Sequence, residues 1–344
     1  MTFIFSDNVK RILITGGAGF IGGALVRELL KNSNTKVFNL DKLTYASNLS
    51  EIEKIINKLE ISTERYKFLK VDLIDLAATK AAIRLSDPDL VFHFAAESHV
   101  DKSIKNYRPF LETNVIGTIN LLNASLLVGI EKFHFISTDE VYGSLDHKAT
   151  VGFTERTQID PKNPYSASKA AAEHYVKAWN NTYDLPYLIT CSSNNYGIRQ
   201  HHEKLIPKVV FNALNENKIY MYGGGHQTRD WLHVKDHCDA IWTLDKHGII
   251  NDKYNIGGNC EIQNIKLTKK ILDIMNKSYK LIEKSYEDGL INYCRPGQDS
   301  RYATDFSKLT EKTRWEPKAN LDKELENIVL WYIKKFQNTN SNDD

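Results

Sequence analysis

Arg11-Ile12-Leu13-Ile14-Thr15-Gly16-Gly17-Ala18-Gly19-Phe20-Ile21-Gly22, followed by Ala24-Leu25-Val26-Arg27-Glu28-Leu29-Leu30, sets the architecture of the chain. An unbroken apolar run reads as a buried strand, the spaced glycines as a tight turn, and the stretch after them as a helix. In that order, Gly16, Gly19 and Gly22 leave backbone N–H groups and a helix N-terminus, with Phe20 and Ile21 at its start, bare toward a pyrophosphate. A second strand, Lys36-Val37-Phe38-Asn39-Leu40, ends on Asp41. An acid there accepts hydrogen bonds from a ribose and repels a 2′-phosphate, so the pattern predicts NAD rather than NADP, a preference that Lys42 softens slightly. A third strand, Tyr66 to Val71, ends in Asp72, and a fourth, Leu90 to Phe94, runs into Ala95-Ala96-Glu97-Ser98-His99. Strands alternating with helical stretches such as Ala77 to Arg84 predict an α/β protein with a Rossmann-type doubly wound parallel sheet.

The bulk composition agrees with a globular enzyme. The 344 residues are 42% hydrophobic and 26% charged, enough for one large or two smaller domains. A formal net charge of +2 offers no global field for a polyanion, so neither nucleic acid nor a membrane surface is expected as a partner. Cys191, Cys238, Cys260 and Cys294 are too dispersed for a zinc or redox motif and read as reduced thiols, and no metal site is expected. Met1 to Lys10 leaves no room for a signal-peptide core before the first strand, which predicts a cytoplasmic protein.

The chemistry concentrates at Ser137-Thr138-Asp139-Glu140-Val141-Tyr142-Gly143, directly after the apolar run Phe133 to Ile136. Ligands of open parallel sheets sit at the C-terminal strand edge. Two adjacent carboxylates there oppose joint ionisation, so one tends to keep a proton while the other stays charged, which places an acid and a base side by side. Downstream, Pro164-Tyr165-Ser166-Ala167-Ser168-Lys169 opens a helix. Tyr165 and Lys169 are one turn apart, and an ammonium near a phenol favours the phenolate. A Tyr-x-x-x-Lys pattern is common by chance; its weight here comes from following a dinucleotide turn and a Ser-Thr strand end in that order. Arg229 and Arg295 are suited to a diphosphate, because a guanidinium meets two phosphate oxygens at once.

Taken together, residues 15–22, 41–48, 95–101, 137–143 and 165–169 resemble the nucleotide-sugar 4,6-dehydratases, a branch of the extended short-chain dehydrogenases/reductases. The resemblance covers most of the chain. It implies NAD held by Gly16, Gly19, Phe20, Ile21, Gly22, Asp41, Lys42, Thr44, Asn48, Asp72, Leu73, Ala95, Ala96, Ser98 and Thr113 together with Tyr165 and Lys169. It implies a nucleoside-diphosphate hexose, dTDP-glucose or UDP-glucose, held by His99, Thr138, Asn195, Lys204, Leu205, Tyr222, Arg229, Asn255, Arg295 and Gln298. His99 has a second reading, as a helix cap. The implied roles are Tyr165 as base toward the C4 hydroxyl with Thr138 aligning it, Lys169 tuning Tyr165, Glu140 as base at C5, and Asp139 as acid toward the C6 hydroxyl. Two departures from the family pattern, Ile198-Arg199-Gln200-His201-His202 and Gln298, fall where nucleotide recognition is expected and leave thymine and uracil both open.

The resemblance also implies a Rossmann domain over 1–188, with later segments returning to it, and a smaller mixed α/β substrate-binding domain over 189–336. It implies a homodimer formed through helices near 105–127 and 165–182. An amphipathic helix is expected over Leu321 to Phe336, with a frayed tail over 337–344. A nucleotide-sugar 4-epimerase would need Thr138, Tyr165, Lys169 and NAD but not the two carboxylates, and a non-catalytic NAD-binding module would need neither Tyr165 nor Lys169.

Overall fold

The apolar runs assemble edge to edge into one sheet, and helices close over both of its faces. In the computed structural model, residues 10–215, 217–279, 290–293, 296–297 and 299–340 are described. The strands are β1 (Arg11–Thr15), β2 (Lys36–Asp41), β3 (Tyr66–Lys70), β4 (Leu90–His93), β5 (Lys132–Thr138), β6 (Tyr187–Ser192) and β10 (Asp252–Ile256), in the order β10-β6-β5-β4-β1-β2-β3. Every pairing is parallel. The central strands β1 and β4 are buried and mainly apolar, whereas the edge strand β3, with Lys67 and Lys70, is only partly buried. Between them run α1 (Phe20–Asn32), α2 (Ser50–Lys58), α3 (Leu76–Ser86), α4 (Val100–Lys105), α5 (Arg108–Phe110), a π-helical turn at Leu111–Ile116, α6 (Gly117–Ser125) and α7 (Pro164–Tyr183). One apolar cluster, with Ile12, Ile14, Leu25, Leu29 and Trp242, fills one face, and another, with Leu13, Val91, Phe133, Phe135 and Ile189, fills the other.

A smaller lobe carries β7 (Asn194–Tyr196), β9 (Thr228–His233) and β11 (Glu261–Gln263) as one sheet, and β8 (Ile219–Tyr222) with β12 (Leu290–Tyr293) as another. Around them lie α8 (Leu205–Leu214), α10 (Asn264–Tyr279) and α12 (Leu321–Asn340), while α9 (Val234–Lys246) packs on α1 and α11 (Ser307–Thr313) on β10, over a face of the large sheet. Leu267, Ile271, Met275, Val329 and Ile333 form the core of this lobe. The expected division at residue 188 falls inside β6, a full member of the large sheet, and β10 returns to that sheet beyond it. α12 continues past Phe336 to Asn340, so the near part of the expected frayed tail is helical, and residues 341–344 lie outside the described residues. Leu111 to Leu127 is not one regular helix, because the π turn interrupts it. In that turn Asn114 bonds both the Glu97 backbone, at 2.8 and 3.0 Å, and Ser168 of α7 at 2.8 Å. Among the described residues no helix is long and apolar enough to cross a membrane.

One buried knot ties the elements that matter next. Glu173 of α7 is fully buried and accepts hydrogen bonds from the Ser137 hydroxyl of β5 (2.5 Å), the Cys191 thiol of β6 (3.3 Å) and the Lys253 ammonium of β10 (2.8 Å). Removing one partner of a buried ion pair leaves an uncompensated charge, whereas replacing both by apolar groups often restores stability. Lys253→Met is expected to destabilise the fold by about 3–5 kcal/mol, with most of the loss recovered in Lys253→Met/Glu173→Leu. Urea unfolding midpoints of the wild type, both single variants and the double variant check this, and an additive double variant would contradict it.

Candidate active site

The strand order reverses between β1, which continues to β2 and β3, and β4, which continues to β5 and β6. Parallel sheets open a crevice at such a switch point, beyond the strand C-termini. A cavity of about 300 Å³ lies there, lined by the glycine turn, the ends of β2, β4 and β5, the first turn of α7 and the segment from Ser192 to Asn195.

Thr138, the last residue of β5, caps the short 3-10 turn Asp139–Tyr142, its hydroxyl accepting from the Glu140 N–H at 3.3 Å. The turn sends its two carboxylates into different surroundings. Asp139 is 2% exposed, with its Oδ2 accepting from the Thr304 hydroxyl at 3.3 Å, while Glu140 stays half-buried on the cavity wall. Burial first, then the nearby charges of Glu140 and Asp230, push the Asp139 carboxyl well above its usual range, and Arg229 and the Thr304 hydrogen bond offset this only in part. Asp139 is thus the carboxyl that burial disposes to keep its proton, in a cavity that also contains Glu140.

Asn163 caps α7 through a capping box with Ser166, and Pro164 opens the helix, which fixes where its first turn points. That turn brings Tyr165 to the cavity, 8% exposed, with its hydroxyl hydrogen-bonded to Thr138. Burial and the Glu140 carboxylate drive its phenol upward, and the Thr138 bond works against them. Lys169 lines the same cavity. Its ammonium donates to the Ile136 carbonyl at 2.6 Å and lies 4.1 Å from the Phe135 ring centre, so its hydrogen bond within the protein goes to β5 and not to Tyr165. Burial lowers Lys169 to about 8, with Glu173 and Cys191 opposing the shift.

The other wall is built for a dinucleotide. Gly16 has φ +69°, and a Cβ on it would sit 2.6 Å from the Ala95 nitrogen; one on Gly22 would sit 2.5 Å from the Gly16 oxygen. Only glycine permits this turn to close against β4. Asp41 accepts from the Ala18 N–H (3.1 Å), the Leu43 N–H (2.8 Å) and the Ser47 hydroxyl (3.0 Å), and it lines the cavity. Lys42 lies 3.7 Å from Asp72 and 3.9 Å from Glu97 and donates to Thr113 at 3.2 Å. Its charge is therefore committed to acids, and its softening of the preference for NAD is slight. Phe20, Ile21, Thr44, Leu73, Ala95, Ala96 and Ser98 complete this wall. A turn clear of side chains beside an acid with lone pairs to spare fits NAD.

Not every expected residue arrives. Asn48 bonds Ser50 and lines neighbouring clefts instead of this cavity. Arg229 is buried behind Asp139, its guanidinium donating to the Thr228 and Asp299 carbonyls at 2.8 and 2.9 Å and stacked 4.1 Å from the Tyr302 ring centre. Asn255 is fully buried and bonded to Tyr142, Phe153 and Glu155. Tyr222 bonds Asp101, and Leu205 starts α8 beside the small-lobe core, so neither lines the cavity. His99 occupies the N-cap position of α4 without a side-chain cap bond and faces Glu203 at 3.8 Å. Asn195 and Lys204 do line the cavity, Lys204 donating to the Ser98 carbonyl at 3.2 Å. Arg295 and Gln298 lie outside the described residues. Glu97, Ser192, Ser193, Asn194 and Glu203 line the cavity without having been singled out. Their signal was available, since they flank the ends of β4, β6 and the path into α8.

Asp139 is neutral in the folded chain and ionised in the unfolded chain from its ordinary 3.8 up to its raised value. It therefore favours folding below that window, and the contribution is lost as pH rises through it. Relative to Asp139→Asn, the wild type is expected to lose up to about 1.4 kcal/mol per pH unit across the window. Urea midpoints of both proteins against pH check this; parallel curves would contradict a buried, proton-holding carboxyl.

The family profile described as GDP-mannose 4,6 dehydratase matches residues 13–328. The dTDP-glucose 4,6-dehydratase of Haemophilus influenzae is 44% identical over 339 residues, covering 94% of this chain and 98% of the relative. Among solved structures, DesIV, a dTDP-glucose 4,6-dehydratase from Streptomyces venezuelae with NAD bound, aligns with TM-score 0.85 at 36% identity, over 94% of this chain and 97% of that one. A UDP-glucose 4-epimerase from Thermotoga maritima aligns with TM-score 0.80 at 26% identity, over 94% and 99%. The chain belongs to the nucleotide-sugar 4,6-dehydratase family, with dTDP-glucose 4,6-dehydratases among its relatives.

Proposed function

We propose that the protein converts dTDP-glucose to the 4-keto-6-deoxy sugar with loss of water and no net consumption of cofactor. The observation that carries this reading is the buried Asp139, its carboxyl pushed upward by desolvation, beside Glu140 in the cavity that also holds Thr138 and Tyr165. A 4-epimerase has no step for such a pair. NAD would be held by the glycine turn and Asp41 and, when bound, would supply hydride acceptance from C4 and return to C6 and a positive ring charge favouring the Tyr165 phenolate. Thr138 orients the C4 hydroxyl, and Tyr165 takes its proton. The ketone at C4 acidifies the C5 hydrogen, which Glu140 removes and returns to C5 after water has left. Asp139 gives its proton to the departing C6 hydroxyl. Lys169 fixes positive charge beneath the site through its bond to β5. Asn195 and Lys204 support the sugar nucleotide.

We further infer a homodimer through residues 105–127 and α7, where Tyr107, Leu111, Ile116, Tyr175 and Tyr183 are exposed apolar side chains. Cys191 and Cys238 as buried free thiols support a cytoplasmic setting.

Incubation of the purified protein with dTDP-glucose and UDP-glucose is expected to yield, from the thymidine sugar in preference, a product lighter by one water in mass spectra. A C4 epimer of unchanged mass would overturn the reading.

Glu140→Gln is expected to reduce its cofactor on adding substrate, seen as trapped NADH absorbance, while water loss slows by about 10²–10⁴-fold. Undiminished dehydration by that variant would remove Glu140 from the role of C5 base.

A further inference from the structure

A second cleft of about 430 Å³ lies outside the catalytic cavity, between α1, α2 and α12. Its basic lining residues are Arg27, Lys54, Arg199, Lys334 and Lys335, against Glu51 as the acidic one. Glu51 is already committed: Arg199 grips its Oε2 at 2.7 and 2.9 Å and Lys54 its Oε1 at 2.6 Å. Burial raises Glu51, but those two hydrogen bonds override it and hold the carboxyl at about 2. The cleft therefore keeps a large positive excess after its acid is neutralised.

Arg27 is the informative residue. It is 8% exposed over the whole residue, no hydrogen bond or ion pair to a described residue holds its guanidinium, and none of its nitrogens is among the fully buried unpaired atoms, so the guanidinium opens onto the cleft. A buried charge is normally paired. Burial, then repulsion from Arg199, pulls Arg27 down to about 10, with Glu51 and Glu28 opposing the shift from a distance. Glu28 acts on it only at a distance and pairs instead with Lys31 at 3.7 Å. Arg199 adds a second sign, since it holds φ +75°, in the left-handed region, while bonding Glu51. Strained backbone of this kind persists where the surroundings over-determine it. Ordinary core packing explains neither feature, because an arginine that served only to fill space would be cheaper as a leucine or methionine.

We propose that this cleft is a second anion site, which takes the phosphoryl group of a small molecule between Arg27 and Arg199, with Lys54 and Lys335 at its rim. Two guanidiniums match phosphoryl oxygens in geometry and charge, and a dianion balances the excess better than a carboxylate does. Ala18, Gly19 and Phe20 line this cleft, and Gly19 and Phe20 also line the catalytic cavity. The two cavities thus share the wall formed by the glycine turn.

The test uses NAD-loaded protein titrated with inorganic phosphate and, separately, pyrophosphate, at ionic strength fixed with chloride, read by calorimetry. Saturable binding is expected, weakened about tenfold or more in Arg27→Met and in the surface variant Lys54→Gln/Lys334→Gln/Lys335→Gln, whose thermal unfolding in chloride verifies that it folds. Tighter Arg27-dependent binding of pyrophosphate assigns a diphosphate ligand, and equal binding a single phosphoryl group. Binding no greater than in chloride, or binding unchanged in both variants, overturns the proposal, the latter placing the anion in the catalytic cavity.

Discussion

Everything at the catalytic end of β5 depends on Glu173. Its carboxylate, without solvent, joins Ser137, Cys191 and Lys253, so the helix that carries Tyr165 and Lys169 cannot slide along the strand that carries Thr138, Asp139 and Glu140. Ser137 immediately precedes Thr138, and Glu173 sits one helical turn beyond Lys169. The bond from Lys169 to the Ile136 carbonyl completes a short ladder between the two elements. A displacement of an ångström at a reacting group is expensive in rate, and a charged knot in a low-dielectric interior resists it better than apolar contact would.

The same lack of solvent separates the two carboxylates chemically. They are neighbours in sequence, yet the 3-10 turn buries one against Thr304 and leaves the other facing the cavity. Desolvation penalises the charged form of Asp139, and the charge on Glu140 adds to that penalty. The guanidinium of Arg229, although spent on backbone carbonyls, limits the rise. Environment, and not residue type, sets the proton affinity of Asp139 apart from that of an ordinary carboxyl.

Residues whose function follows from local backbone were legible in the sequence. The glycine turn, Asp41 at a strand end, the Ser-Thr-Asp-Glu edge and the Tyr165–Lys169 turn each lie within one strand-to-helix junction, and the parallel order around β1 followed from their alternation. What failed to reach the cavity were long-range expectations. Arg229 and Asn255 are polar side chains that the fold consumed to satisfy buried carbonyls and hydroxyls, a demand that no local pattern announces. Glu173 and Lys253 escaped notice for the converse reason: they are distant in sequence, and their pairing exists only once β10 returns to the large sheet beside β6. The π turn at Leu111–Ile116 likewise reflects a tertiary demand, the reach of Asn114 to Glu97 and Ser168.

The segment Ile198 to His202 shows how one departure from the family pattern can act on both clefts. The Tyr332 hydroxyl of α12 holds it, receiving the Gln200 N–H at 2.8 Å and bonding the Gly197 and Gln200 carbonyls at 2.9 and 3.1 Å. Gln200 and His201 then face the catalytic cavity, while Arg199 turns outward to Glu51 and Arg27. A segment pinned at one point and divided in this way cannot change its grip on the outer cleft without moving the wall near Asn195, whose carbonyl accepts from Gln200 at 2.9 Å. The backbone of this segment is thus common to the walls of both clefts, joined through Tyr332, Gln200 and Asn195 and not through any direct contact between the cavities.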